Sequence, residues 1–169
     1  PAFFALVAEP AFLLVDSAIV GHLGATPLAG LAIASTILGT AVGVCIFLAY
    51  GTTALVARQI GSGDRAGAIT AGIDGSWLAL ILGAIIGSMV GFGARPLAAA
   101  FGPDPAVLEQ AVTYLRVSAA GLPAMLIVFA ATGVLRGMLD TRTPLLVSVI
   151  GFSVNAALNY ALVYGLGWG

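Results

Sequence analysis

Long unbroken apolar stretches, each of about 20 residues or more, set the strongest limit on how this chain can fold. An α-helix of about that length crosses the hydrocarbon core of a bilayer. Five stretches qualify, at about residues 1–21, 28–57, 68–93, 111–135 and 145–166. The second is long for one crossing, which implies tilt or an extension past the membrane. Strand readings fail, because alternation is absent and a barrel strand needs only about 9–11 residues. Charged residues make up 8% of the chain and hydrophobic ones 60%. A soluble domain carries roughly 25% and 45–50%, so this chain has too few charges to cover a surface in water. The expectation is an all-α membrane protein with five transmembrane helices and the lipid bilayer as its solvent. Many of the 23 glycines fall inside apolar runs, where small residues let membrane helices approach closely. The single cysteine, Cys45, lies in such a run and is expected to pack as a small buried side chain.

Polar segments separate the stretches. Residues 22–27 end in Pro27, expected at a first helical position. Residues 61–65 form a Gly-Ser-Gly-Asp-Arg turn, Pro103-Asp104-Pro105 interrupts helix continuity, and residues 140–144 carry Asp-Thr-Arg-Thr-Pro. Arg58, Arg65, Arg136 and Arg142 flank two connections on the same side of the membrane, whereas the other side has only Arg95 and Arg116. Short loops rich in arginine stay in the cytoplasm, so a multi-pass protein of the cell membrane with a cytoplasmic amino terminus is expected. The chain opens at Pro1 inside one apolar stretch and ends at Gly169 just past another. It therefore reads as a single bundle truncated at both ends.

Carboxylates inside these stretches point to function. Glu9, Asp16 and Asp74 all lie within expected spans, where an acid costs about 2.5–3.5 kcal/mol and usually faces a cavity or the bundle interior. Glu9 and Asp16 are seven residues apart, which puts them on nearly one helical face. Asp16 is the leading candidate for binding a proton or cation, with Glu9 a candidate cavity-lining residue. Pro10 removes a backbone hydrogen bond and is a candidate hinge or a static kink. Asp74 lies a turn or two into its span, where it can reach interfacial water. Asn155 and Asn159, four apart, share a face of the fifth stretch. They suit either a cation site or hydrogen-bonding between helices. His22, at the end of the first stretch, reads as an ordinary interfacial residue.

Other chemistries lack their residues. Gly61-Ser62-Gly63 has no following Lys-Ser/Thr to cradle a phosphate. One His and one Cys build no metal centre, and six dispersed arginines with a net charge of −1 give no nucleic-acid surface. No enzyme is expected.

Three segments together carry a family resemblance. Val15-Asp16-Ser17-Ala18-Ile19-Val20-Gly21-His22-Leu23-Gly24 resembles the end of the first helix of the multidrug and toxic compound extrusion (MATE) transporters. Arg58-Gln59-Ile60-Gly61-Ser62-Gly63-Asp64 resembles their loop between helices two and three, and residues 133–144 resemble the loop between helices four and five. The wording is most similar to the DinF-like branch. The resemblance implies five helices forming most of the amino-terminal six-helix lobe of a twelve-helix transporter, with the carboxy-terminal lobe of the same chain as a partner. It implies a proton- or sodium-coupled antiporter that exports drugs and other organic compounds, cations among them, with no cofactor beyond the coupling ion. Asp16 matches the family's first-helix Asp that takes part in coupling, and Asn155 and Asn159 match its fifth-helix polar pair. Some members have Asp at the second of those positions, and Asn159 here removes that charge. Two other readings differ in their needs. A lipid-linked saccharide flippase would want basic residues in its cavity for a pyrophosphate. A channel or membrane scaffold would need no titrating carboxylate.

Overall fold

The structure, a computed structural model, describes residues 24–140 and 142–161. All elements among the described residues are helices. They run in order as α1 (Ala25–Val44), α2 (Phe47–Gly61), α3 (Arg65–Phe92), α4 (Ala94–Ala99), α5 (Pro105–Ala119), α6 (Leu122–Gly137) and α7 (Arg142–Tyr160). Residues 29–140 form one unit and α7 belongs to another; each is described by itself.

α1, apart from its first four residues, belongs to the larger unit, and with α2 it makes one apolar run, Ala25–Gly61. Around Cys45 and Ile46 the backbone tightens. The Cys45 and Ile46 amides donate to the Val42 and Gly43 carbonyls, and the Leu48 and Ala49 amides donate to Cys45 and Ile46. These bonds reach back three residues instead of four, so a short 3₁₀ segment interrupts the helix. The stretch expected as one long span is thus two helices joined in mid-run. Cys45 is buried, as its apolar neighbourhood predicts. Pro27 stands at the third residue of α1, because the helix begins two residues earlier, at Ala25. The first-turn amides have no helical partner, so proline there costs no hydrogen bond.

The turn after α2 depends on two residues. Gly63 takes a left-handed φ of +79°, which glycine adopts without a Cβ clash. Asp64 then caps α3, its Oδ1 accepting from the Gly67 amide at 2.8 Å, which satisfies one of the otherwise unpaired first-turn donors. The 28 residues of α3 reach about 42 Å at 1.5 Å per residue. Its outward stripe, Ile69, Ile73, Trp77, Ile81, Ile85 and Met89, is more than half exposed along its whole length. An apolar face of that extent suits lipid and not water.

The fourth apolar stretch is bent. α5 and α6 meet at Ala120–Gly121 with an angle of 51°. Pro123 lacks the amide that a continuous helix would aim at the Ala119 carbonyl, and its ring would strike that carbonyl. The Gly121 amide turns back to Ser118 at 2.9 Å instead. The single helix expected over about residues 111–135 is therefore two, and the first starts at Pro105.

Small residues set how closely the helices meet. α2, α3 and α6 pack against one another as a three-helix group. A Cβ on Gly83 would come 2.5 Å from the Pro123 Cα, and one on Gly87 would come 2.6 Å from the Ala119 carbonyl. The bend thus docks on α3 by backbone-to-backbone approach. Deeper toward the arginine-rich end, the Thr53 hydroxyl donates to the Gly133 carbonyl at 3.0 Å and ties α2 to α6. Buried Leu48, Ala79, Leu126 and Ala130 fill the middle, with Cys45 among them. At the opposite end Ala34, Val90, Ala98, Val112 and Leu115 form a second core, and Arg95 pairs with Glu109 at 2.9 Å on the exposed surface. α6 closes with Leu139 at φ +62°, where its amide and that of Asp140 donate to Arg136 and Leu135.

Candidate functional site

Most of the residues singled out from the sequence lie at the chain's beginning. Glu9, Pro10, Asp16 and His22 fall outside the described residues. Asn155 lies on an exposed part of α7 and Asn159 occupies the next turn; the side chain of Asn159 is outside the described set. The described helices therefore bring together a different group, centred on the carboxylate the sequence placed lower.

Asp74 sits nine residues past Arg65 in α3, about 14 Å along the helix axis at 1.5 Å per residue. On its face of α3, at three- and four-residue spacing, lie Thr70, Ala71 and Leu78. α2 presents Phe47, Gly51, Leu55 and Gln59 opposite them. Together they line a groove of about 600 Å³ between α2 and α3. Thr52 forms part of the floor and is spoken for, its hydroxyl donating to its own helix at Leu48 and Ala49. The Thr70 hydroxyl donates to the Ala66 carbonyl at 3.1 Å. Asp74 makes neither an ion pair nor a hydrogen bond among the described residues. The groove is a largely apolar cleft with one exposed carboxylate about two and a half turns into α3.

The sequence marked Asp74 as an acid in an apolar run but not its surroundings. Gln59 and Leu55 come from another helix, fifteen or more positions away. The available hint was the helix-to-helix spacing across a three-residue turn, 62–64, which makes α2 and α3 antiparallel neighbours.

Two further grooves flank α3. One, of about 590 Å³, is lined by Ile69, Ile73, Trp77 and Leu80 from α3 with Ile127 and Ala131 from α6. The other, of about 650 Å³, lies by the α5–α6 bend and is lined by Ser88, Phe92, Arg116 and Pro123. Among the described residues no three His, Cys, Asp or Glu side chains converge as a metal site would require.

The chain matches the MatE family model over residues 1–161. It belongs to the MatE family. Two curated relatives show how much of a MatE protein it represents. It is 28% identical to multidrug resistance protein PmpM of Pseudomonas aeruginosa, over 98% of this chain and 35% of that protein. It is 30% identical to multidrug resistance protein MdtK of Klebsiella pneumoniae, over 98% and 36%. The chain thus spans about a third of the length of the curated relatives it matches. Among solved structures, a MATE protein in its bent conformation superposes with a TM-score of 0.90 at 28% identity, over 98% of this chain and 37% of that one. A transporter of the MOP superfamily from Pyrococcus furiosus, described as having a binding pocket of reversed polarity that suggests a different function, superposes at 0.91 with the same identity and coverage. The MatE assignment makes this an all-helical, multi-pass membrane protein of a transporter family and accounts for the lipid-suited stripe on α3.

Proposed function

We propose that the protein carrying this chain is a cation-coupled antiporter that exports organic compounds across the cell membrane, and not an enzyme. The observation behind this reading is the MatE match over residues 1–161, with relatives named as multidrug resistance proteins. Physical chemistry supplies the mechanism. A carboxylate in a low-dielectric cavity is driven to bind a proton or a cation. Asp16 takes that role, with Glu9 on its stripe and Asn155 and Asn159 contributing polar groups from α7. Filling the site changes the cavity's charge, a cationic substrate competes for it, and one lobe rocks against the other to alternate access. Pro10 is the candidate hinge, or a static kink, of the first span. In vesicles containing the full-length protein, ethidium efflux should run faster under an imposed proton or sodium gradient than in protein-free vesicles. Efflux that responds to neither ion would remove the antiporter reading.

Orientation is part of the same proposal. Arg58 and Arg136 close α2 and α6, and Arg65 opens α3. Because α2 and α6 run antiparallel to α3, all three arginines stand at one end of the larger unit. Arginine-rich ends stay in the cytoplasm, so residues 61–65 and 140–144 are assigned there, along with the amino terminus. Cysteines introduced at Ser62 and Thr141 should resist an impermeant maleimide applied to intact cells and react after permeabilisation. Strong labelling of intact cells would invert the topology.

A further inference from the structure

The groove around Asp74 has no role in the mechanism just given, and it joins a carboxylate, apolar walls and room for a small molecule. Its carboxylate stands about 14 Å along α3 without an ion pair among the described residues. An acid within a span normally faces a partner or an aqueous cavity, because lipid solvates it poorly. Its walls are apolar, with Phe47 and Leu55 on α2 facing Leu78 on α3. Its volume, about 600 Å³, falls in the range of small-molecule sites, roughly 300–1,000 Å³.

The ligand chemistry follows from what the groove lacks as well as what it holds. A bare metal ion wants about six oxygens. Here Thr52 is buried, and the Asp74 carboxylate, the Gln59 amide and the Thr70 hydroxyl are too few oxygens for such a shell. An anion would meet Asp74 directly. A large organic cation has the opposite needs. Its charge is spread and weakly hydrated, one counter-charge suffices, and its apolar body gains by leaving water for the walls.

We propose that the α2–α3 groove is a binding site for an amphipathic organic monocation, with Asp74 as its counter-charge. Its place in a transport cycle rests on the antiporter reading: Asp74 lies toward the end assigned to the cytoplasm, where an exported compound would first be met. Binding itself does not depend on that reading. Asp74 acts by holding the ligand's positive charge in the groove.

The test measures equilibrium binding of tetraphenylphosphonium to the full-length protein in nanodiscs of neutral phosphatidylcholine. An Asp16→Asn background removes the other carboxylate's contribution. In that background tetraphenylphosphonium should still bind saturably. Adding Asp74→Asn should weaken it by about tenfold or more, equivalent to 1.4 kcal/mol, while Asp74→Glu should restore most of it. Neutral triphenylphosphine oxide should bind both proteins alike. Unchanged affinity in Asp74→Asn, no saturable binding in the Asp16→Asn background, or an equal loss for the neutral probe would each overturn the proposal. If gradient-driven efflux fails while binding still depends on Asp74, the site stands and the antiporter reading falls.

Discussion

Replacing Asp16 with Asn in the full-length protein should abolish gradient-driven efflux while leaving folded protein in the membrane. The two side chains have nearly the same volume and both accept hydrogen bonds. Only the acid titrates or binds a cation with a full charge. If Asp16 carries one proton per substrate, a gradient of one pH unit supplies about 1.4 kcal/mol, enough for roughly a tenfold substrate accumulation. The Asn variant has no means of spending that gradient, so its accumulation ratio should fall to one. Asp16→Glu still titrates but moves the carboxyl by about one methylene, and it should keep a remnant of coupled efflux. A structural hydrogen-bonding role predicts the reverse pattern, with Asn active. Full coupled efflux by Asp16→Asn would end the coupling role for this residue and move attention to Glu9, its neighbour on the stripe. Initial rates in vesicles, measured with the proton and the sodium gradient imposed separately, decide between these outcomes and identify the ion.

The membrane class was legible because it depends on a sum: long apolar windows and few charges leave no soluble alternative. Helix ends were legible where single residues carry the local chemistry, as at Gly63 with its φ of +79° and at Asp64, whose carboxylate caps α3. Interruptions inside apolar runs were not. Residues 111–135 pass every test of length and composition for one span, yet Gly121 and Pro123 split them at 51°; the signal was two residues wide in a window read as a whole. The 3₁₀ segment at Cys45 and Ile46 has no proline to mark it. The candidate sites divide in the same way. Asp16 and Asp74 stand out as acids in apolar sequence. That Asp74 shares a groove with Gln59 and Leu55 depends on how α2 lies against α3, and no spacing along one helix encodes that. The family resemblance, resting on three loop and helix-end motifs, reached further than periodicity did, and the match over residues 1–161 agrees with it.

Gly133→Leu should cost the protein more stability than any loss of a single surface interaction, because α2 and α6 meet there backbone to backbone. A Cβ at Gly133 would stand 2.5 Å from the Ala49 carbonyl and closer still to the Thr52 hydroxyl. Real Cβ atoms do not come that near, so even Gly133→Ala must push α6 off α2. That movement stretches the Thr53 hydroxyl from the Gly133 carbonyl, now 3.0 Å away. It also opens the layer where Leu48, Ala79 and Leu126 lie buried. Overpacking of a filled interior costs about 1–3 kcal/mol for modest additions, which sets the expectation for Ala. Leucine adds a branched side chain to the same contact and should leave little monodisperse protein after extraction. Gly61→Ala is the control: nothing lies within 4 Å of the added methyl, so its effect should stay within about 0.5 kcal/mol. Thermal unfolding in detergent, read together with monodisperse yield, ranks the three variants. Gly133→Leu melting like the parent would mean that α2 and α6 do not approach as closely as the shared Thr53–Gly133 hydrogen bond requires. The Asp74 groove, whose α2 wall is held in place by that same contact, would then lose its structural basis as well.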